Sequence, residues 1–131
     1  FRDIDFEGLE NNKNIVFTGY VSDEELLRYY NEASLFVYPS LYEGFGIPNL
    51  EAMTNNCPVV ASDIPPHKEV CGEAAIYFDP YNVSDIAEKI TYVLANKELQ
   101  ARMQEKGKER VKLFSWDKSA EKLILAIDEL K

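Results

Sequence analysis

Histidine is almost absent from this sequence and cysteine is scarce: one His and two Cys in 131 residues. With no CxxC pair and a single imidazole, a structural zinc site is excluded. Cys57 and Cys71 stand with 13 residues between them and no helper residue. They read as ordinary small buried thiols rather than redox partners, and a reducing, cytosolic setting is the simplest fit. Basic charge is also short. Fourteen Lys and Arg face 23 Asp and Glu, a formal net charge of −9. That excludes a broad nucleic-acid or anionic-membrane surface, which needs clustered cations. No apolar run approaches the roughly 20 residues that span a bilayer. Residues 1–10 are acidic and mixed, so no signal peptide is expected there. The eight Tyr and seven Phe are not interleaved with basic residues, which excludes a base-stacking platform, and most are expected in the core.

What is present is the composition of one globular domain, 46% hydrophobic and 28% charged, long enough to bury a core but short for a complete metabolic enzyme. Strand-like and helix-like patterns alternate without internal repeats. Residues 15–17 form a short β-prone run closed by Thr18-Gly19. Ser22 opens a helix, with Glu25 three residues later completing a capping box. Residues 35–38 (Leu-Phe-Val-Tyr) are a continuous apolar run stopped by Pro39, expected as a strand buried on both sides. A glycine-containing loop over 42–47 leads to Pro48, suited to a first helical turn. Strands follow at 59–61 and 75–78. An amphipathic helix from Asn82 or Ser84 carries Ile86, Ile90, Val93 and Leu94. A more polar helix runs from Glu98 to about Val111, stabilised by pairs such as Glu98–Arg102. A last helix near Ser115-Trp116 is expected to bury Ala120, Leu123, Ile124, Ile127 and Leu130, with Trp116 anchoring it to the sheet. Alternation of this kind implies an α/β, doubly wound, Rossmann-like three-layer parallel sheet. The pattern starts without the strand that usually opens such a domain. The fold is therefore expected to be incomplete at its N-terminal side, with an exposed flank that invites self-association.

In open parallel sheets, ligands bind beyond the carboxyl ends of the strands. Three segments fall there: residues 19–21, 39–51 and 62–68. The middle one holds Glu43-Gly44-Phe45-Gly46-Ile47-Pro48-Asn49-Leu50-Glu51. Gly44 and Gly46 allow close backbone approach. Pro48 opens a helix whose first N–H groups can seat a phosphate. Glu43 and Glu51 suit hydroxyl donors. Phosphate flanked by hydroxyl-rich groups describes a nucleotide sugar, although a plain turn and helix start with a solvated Glu51 fits these residues equally well. A glycosidase acid/base pair rests on the carboxylate count alone. A non-catalytic nucleotide- or anion-binding module stays open as an alternative.

Glu43 and Glu51, with seven residues between them in EGFGIPNLE, resemble the E-x7-E signature of the family-4 (group 1) retaining glycosyltransferases with the GT-B fold. The flanking FTGYVSDEEL, ASLFVYPSLYEGFG, PVVASDIPPHKEVCGEAA and FSWDKSAEKL agree, in order, over residues 14–125. The resemblance implies the C-terminal, donor-binding domain of such an enzyme, transferring a hexose from UDP- or GDP-sugar to an acceptor. No metal or other cofactor is expected. By resemblance, Glu43 contacts the donor hexose near the reacting centre. Gly44, Phe45, Gly46 and Ile47 offer amides to sugar and diphosphate, Asn49 and Leu50 hold the phosphates, and Glu51 grips the ribose. Tyr20 and Val21 form the base pocket. His67 is tempting as a catalytic base but reads better as a polar loop residue bordering the sugar. The family's basic diphosphate clamp and acceptor-binding domain have no match here, so the chain alone is expected to bind donor weakly and to be inactive. The whole enzyme is expected in the cytoplasm, at the inner face of the membrane for lipid-linked acceptors.

Overall fold

The computed structural model describes Leu9 and residues 11–130; the reading of residues 1–8 and 10 lies outside them. The elements are α1 (Asp23–Glu32), β1 (Phe36–Tyr38), α2 (Ile47–Thr54), β2 (Val59–Ser62), α3 (Pro65–Cys71), β3 (Ala75–Phe78), α4 (Val83–Ala95), α5 (Lys97–Val111) and α6 (Trp116–Asp128), with a 3-10 turn at Gly72–Ala74 before β3. The three strands are parallel in the order β1-β2-β3. Val59 pairs with Phe36 on one side and Ala75 on the other.

Side chains alternate across the sheet and define two packed faces. Phe36, Tyr38, Val59, Ala61, Ala75 and Tyr77 face one cluster with Tyr30 of α1, Ala52 and Met53 of α2, and Val70 and Cys71 of α3. Val37, Val60, Ile76 and Phe78 face the other with Val93 of α4 and Leu99 and Met103 of α5. Helices on both faces of a parallel sheet make this an α/β, Rossmann-like, three-layer arrangement. Helix α5 touches both layers, because Val111 reaches the first cluster. Gly107 lets α5 settle on α2: a Cβ there would sit 3.2 Å from Met53 Cγ. Cys57 and Cys71 are free and buried, as expected of core thiols.

Local signals explain the helix starts. Ser22 accepts from Glu25 N while the Glu25 carboxylate accepts from Ser22 N, a complete capping box. Asn82 caps α4 through Ser84 and Asp85 N, and Asn96 caps α5 through Leu99 N.

Several expectations are corrected. Residues 15–17 are not a strand, and the described sheet consists of β1, β2 and β3. As an edge strand, β1 is half-buried rather than buried on both sides. Leu94 is exposed although Val93 beside it is fully buried. In α6 no residue is buried: Ala120, Leu123, Ile124 and Ile127 face solvent, as does Leu130 after the helix, and Trp116 is 82% exposed. An apolar stripe buries only against a facing surface, and α6 joins neither core cluster. Many aromatics are likewise outside, among them Tyr20, Tyr42, Tyr81 and Tyr92. On α5 the intrahelical ion pairs are Lys108–Glu105 and Lys112–Glu109, not Glu98–Arg102.

Candidate functional site

The loop after β1 carries Glu43 back over the end of its own strand. Tyr38, the last residue of β1, donates its hydroxyl to Glu43 Oε1 at 2.7 Å, and Ser40 donates to the same oxygen at 2.8 Å. These two donors hold the carboxyl below its ordinary value, because hydrogen bonds to the charged form favour it. The Tyr38 hydroxyl is pushed the other way by burial and by donating to the carboxylate. Both bonds fall on Oε1. Oε2 is left as an acceptor on an ionised, fixed carboxylate.

Glu51 lies one turn into α2, exposed, with its Oε2 accepting from the Tyr30 hydroxyl at 3.1 Å. Burial first, and the neighbouring Glu51 charge second, push that tyrosine well above its ordinary value. A row of rings joins the two glutamate supports. Tyr30 meets Phe36 edge-on at 5.5 Å, Phe36 stacks on Tyr38 at 5.8 Å, and Tyr38 tilts against His67 at 5.2 Å.

Between the glutamates, Gly46 is the N-cap of α2 at φ 91°, and no side chain caps the helix. Only glycine adopts that backbone without strain. Asn49 N turns back to Gly46 O at 3.1 Å. Pro48 has no N–H, so the amides of Gly46 and Ile47 are the ones left without a side-chain cap at this end, where the helix dipole favours negative charge.

The structure thus brings Glu43, Gly44, Phe45, Gly46, Ile47, Asn49, Leu50 and Glu51 together around the start of α2. Asn49 and His67 are 0% exposed, so both stand behind this surface. His67 is in α3 rather than a loop. Tyr20, at 98% exposure, lies against none of these residues, and Val21 is half-buried at the entry to α1. Beside the site runs an apolar groove of about 530 Å³, lined by Phe45, Ile47, Leu50 and Glu51 with Phe114 and Trp116. Glu43 is outside it. Among the described residues no group of three or more His, Cys, Asp and Glu converges where a metal ion could sit.

Sequence reasoning missed Tyr38, Ser40 and Tyr30 as partners of the glutamates. For Tyr38 and Ser40 the signal was available, as both flank the loop that carries Glu43. Nothing in the spacing pairs Tyr30 with Glu51, 21 residues away.

The family model described as "Glycosyl transferases group 1" matches residues 6–110. O-antigen chain mannosyltransferase B of Escherichia coli is 42% identical over 103 residues, covering 79% of this chain and 27% of that protein. Mannosylfructose-phosphate synthase of Agrobacterium fabrum is 31% identical, covering 92% of this chain and 27% of its own length. The sucrose-phosphate synthase of Thermosynechococcus elongatus superposes with a TM-score of 0.82 at 30% identity, over 95% of this chain and 33% of that one. The chain therefore spans about a quarter to a third of these relatives.

Proposed function

The chain belongs to the group 1 glycosyl transferases, and we propose that it is their donor-binding domain, holding a nucleoside diphosphate sugar across the start of α2. One observation carries the reading: the two hydroxyls that fix Glu43 share a single carboxylate oxygen. The free oxygen of an ionised carboxylate can only accept, and a sugar hydroxyl is the donor it suits. Glu51, steadied by Tyr30, offers the same chemistry to the ribose hydroxyls. The backbone amides of Gly44, Phe45, Gly46 and Ile47 lie between them, where the diphosphate would span. Tyr20 and Val21 are proposed to meet the base, and His67 to stand behind the sugar.

The charge balance limits what this chain does alone. Two carboxylates flank a doubly charged ligand on a molecule of formal net charge −9. Lys68, on α3, is taken up by Asp63 at 2.6 Å. Stabilising the departing diphosphate is a large electrostatic term in such a transfer, and its cations must come from outside the residues around α2. We therefore propose that the chain works with an acceptor-binding domain as one transferase, retaining the anomeric configuration and using no metal. Relatives named as mannosyltransferases support mannose as the hexose. The test is Glu43→Gln and Glu51→Gln in the two-domain enzyme: both should depress transfer, and full activity in both would reject the assignment.

A further inference from the structure

Three buried polar atoms have no hydrogen-bond partner among the described residues: Nδ2 and Oδ1 of Asn49, and Nε2 of His67. An orphaned buried group is destabilising, so three on two side chains call for an explanation. They converge. A point placed where a Cβ of Gly46 would stand lies 3.0 Å from Asn49 Nδ2 and 3.4 Å from His67 Nε2. The other ring nitrogen of His67, Nδ1, is 3.0 Å from the carbonyl oxygen of Ser62 at the end of β2. A carbonyl only accepts, so Nδ1 carries the proton. In the neutral ring Nε2 is then a bare acceptor. An amide with two donors and a bare acceptor, both fully buried, face the same glycine.

We infer that Asn49 and His67 are positioning residues: the Asn49 amide donates to His67 Nε2 through one enclosed water, and the link fixes Gly46. Gly46 is the left-handed N-cap from which α2 departs, and it terminates the loop carrying Glu43. Tethering it to α3, and through Nδ1 to β2, sets where the first-turn amides and Glu43 stand relative to the sheet. The consequence for donor binding rests on the function proposed above; the link itself does not.

His67 is the sole histidine in the sequence, so ¹⁵N-histidine labelling gives one pair of ring signals that needs no assignment. The expected result is a protonated Nδ1 and a pyridine-type Nε2. In Asn49→Ala the Nε2 resonance should shift, together with the amides of Gly44 and Gly46, while those of α4 stay in place. A proton on Nε2 in the unsubstituted chain would overturn the inference, and that reading needs no variant to fold. An Nε2 resonance indifferent to Asn49→Ala would overturn it too. Neither measurement uses a donor, so failure to bind a nucleoside diphosphate sugar would strike the proposed function and leave the link standing.

Discussion

Glu43 makes its argument through two neighbours. Tyr38→Phe removes one of the two donors that hold the Glu43 carboxyl below its ordinary value. The sign follows from linkage: a depressed carboxyl contributes stability that is present above its unfolded value and lost as pH falls through the folded value. Activity that requires the ionised form should fade at the same acid limb. In Tyr38→Phe that limb should move up toward the usual carboxylate value of about 4.3, visible in the pH profile of transfer. Glu43→Gln should lower transfer by about 10- to 100-fold, the worth of a charged hydrogen bond. At Gly46 the backbone decides. An alanine would have to hold φ 91° with its Cβ 3.0 Å from Asn49 Nδ2 and 3.2 Å from His67 Cδ2. Gly46→Ala should cost about 1–3 kcal/mol, measured as a lower urea midpoint at unchanged slope. An unchanged midpoint would mean that the loop is free to move.

Among the elements, those with local signals were legible and those whose fate depends on a partner were not. The capping box at Ser22, the Asn82 cap and the apolar runs of β2 and β3 are written within a few residues each, and the structure agrees with them. Residues 15–17 and α6 carry equally good patterns, but an apolar run specifies only that something should cover it. The candidate site divides the same way. The clustering around α2 follows from the short segment 43–51, whereas the burial of His67 and the Tyr30–Glu51 bond arise from α3 and α1 folding onto the sheet. Helix α3 itself depends on a distant element. Arg110 of α5 donates Nε to the Val70 carbonyl at 2.8 Å and Nη2 to the Glu69 carbonyl, satisfying the end of a seven-residue helix. Arg110→Met should destabilise the fold by about 1.5–3 kcal/mol, and faster amide exchange should follow through α3. Helix α6 predicts the opposite. With none of its residues buried, its amides should exchange far faster than those of β2, since local opening tracks the lack of packed apolar contact.

On the scale of the whole molecule, three parallel strands and two helical layers set every carboxyl strand end on one side, which is where an α/β sheet receives its ligand. The core clusters lie on the two faces of the sheet and leave that edge to Glu43, Gly46 and α2. The net charge of −9 opposes an anionic donor, so its binding should weaken as pH rises and gain from added salt only through screening. The most direct test is an amide titration of the labelled chain with UDP- and GDP-sugars at millimolar concentration. Shifts concentrated at Gly44, Phe45, Gly46 and Leu50 are the predicted result. Saturating shifts that leave this loop untouched and appear elsewhere on the surface would contradict the assignment of the start of α2 as the donor site.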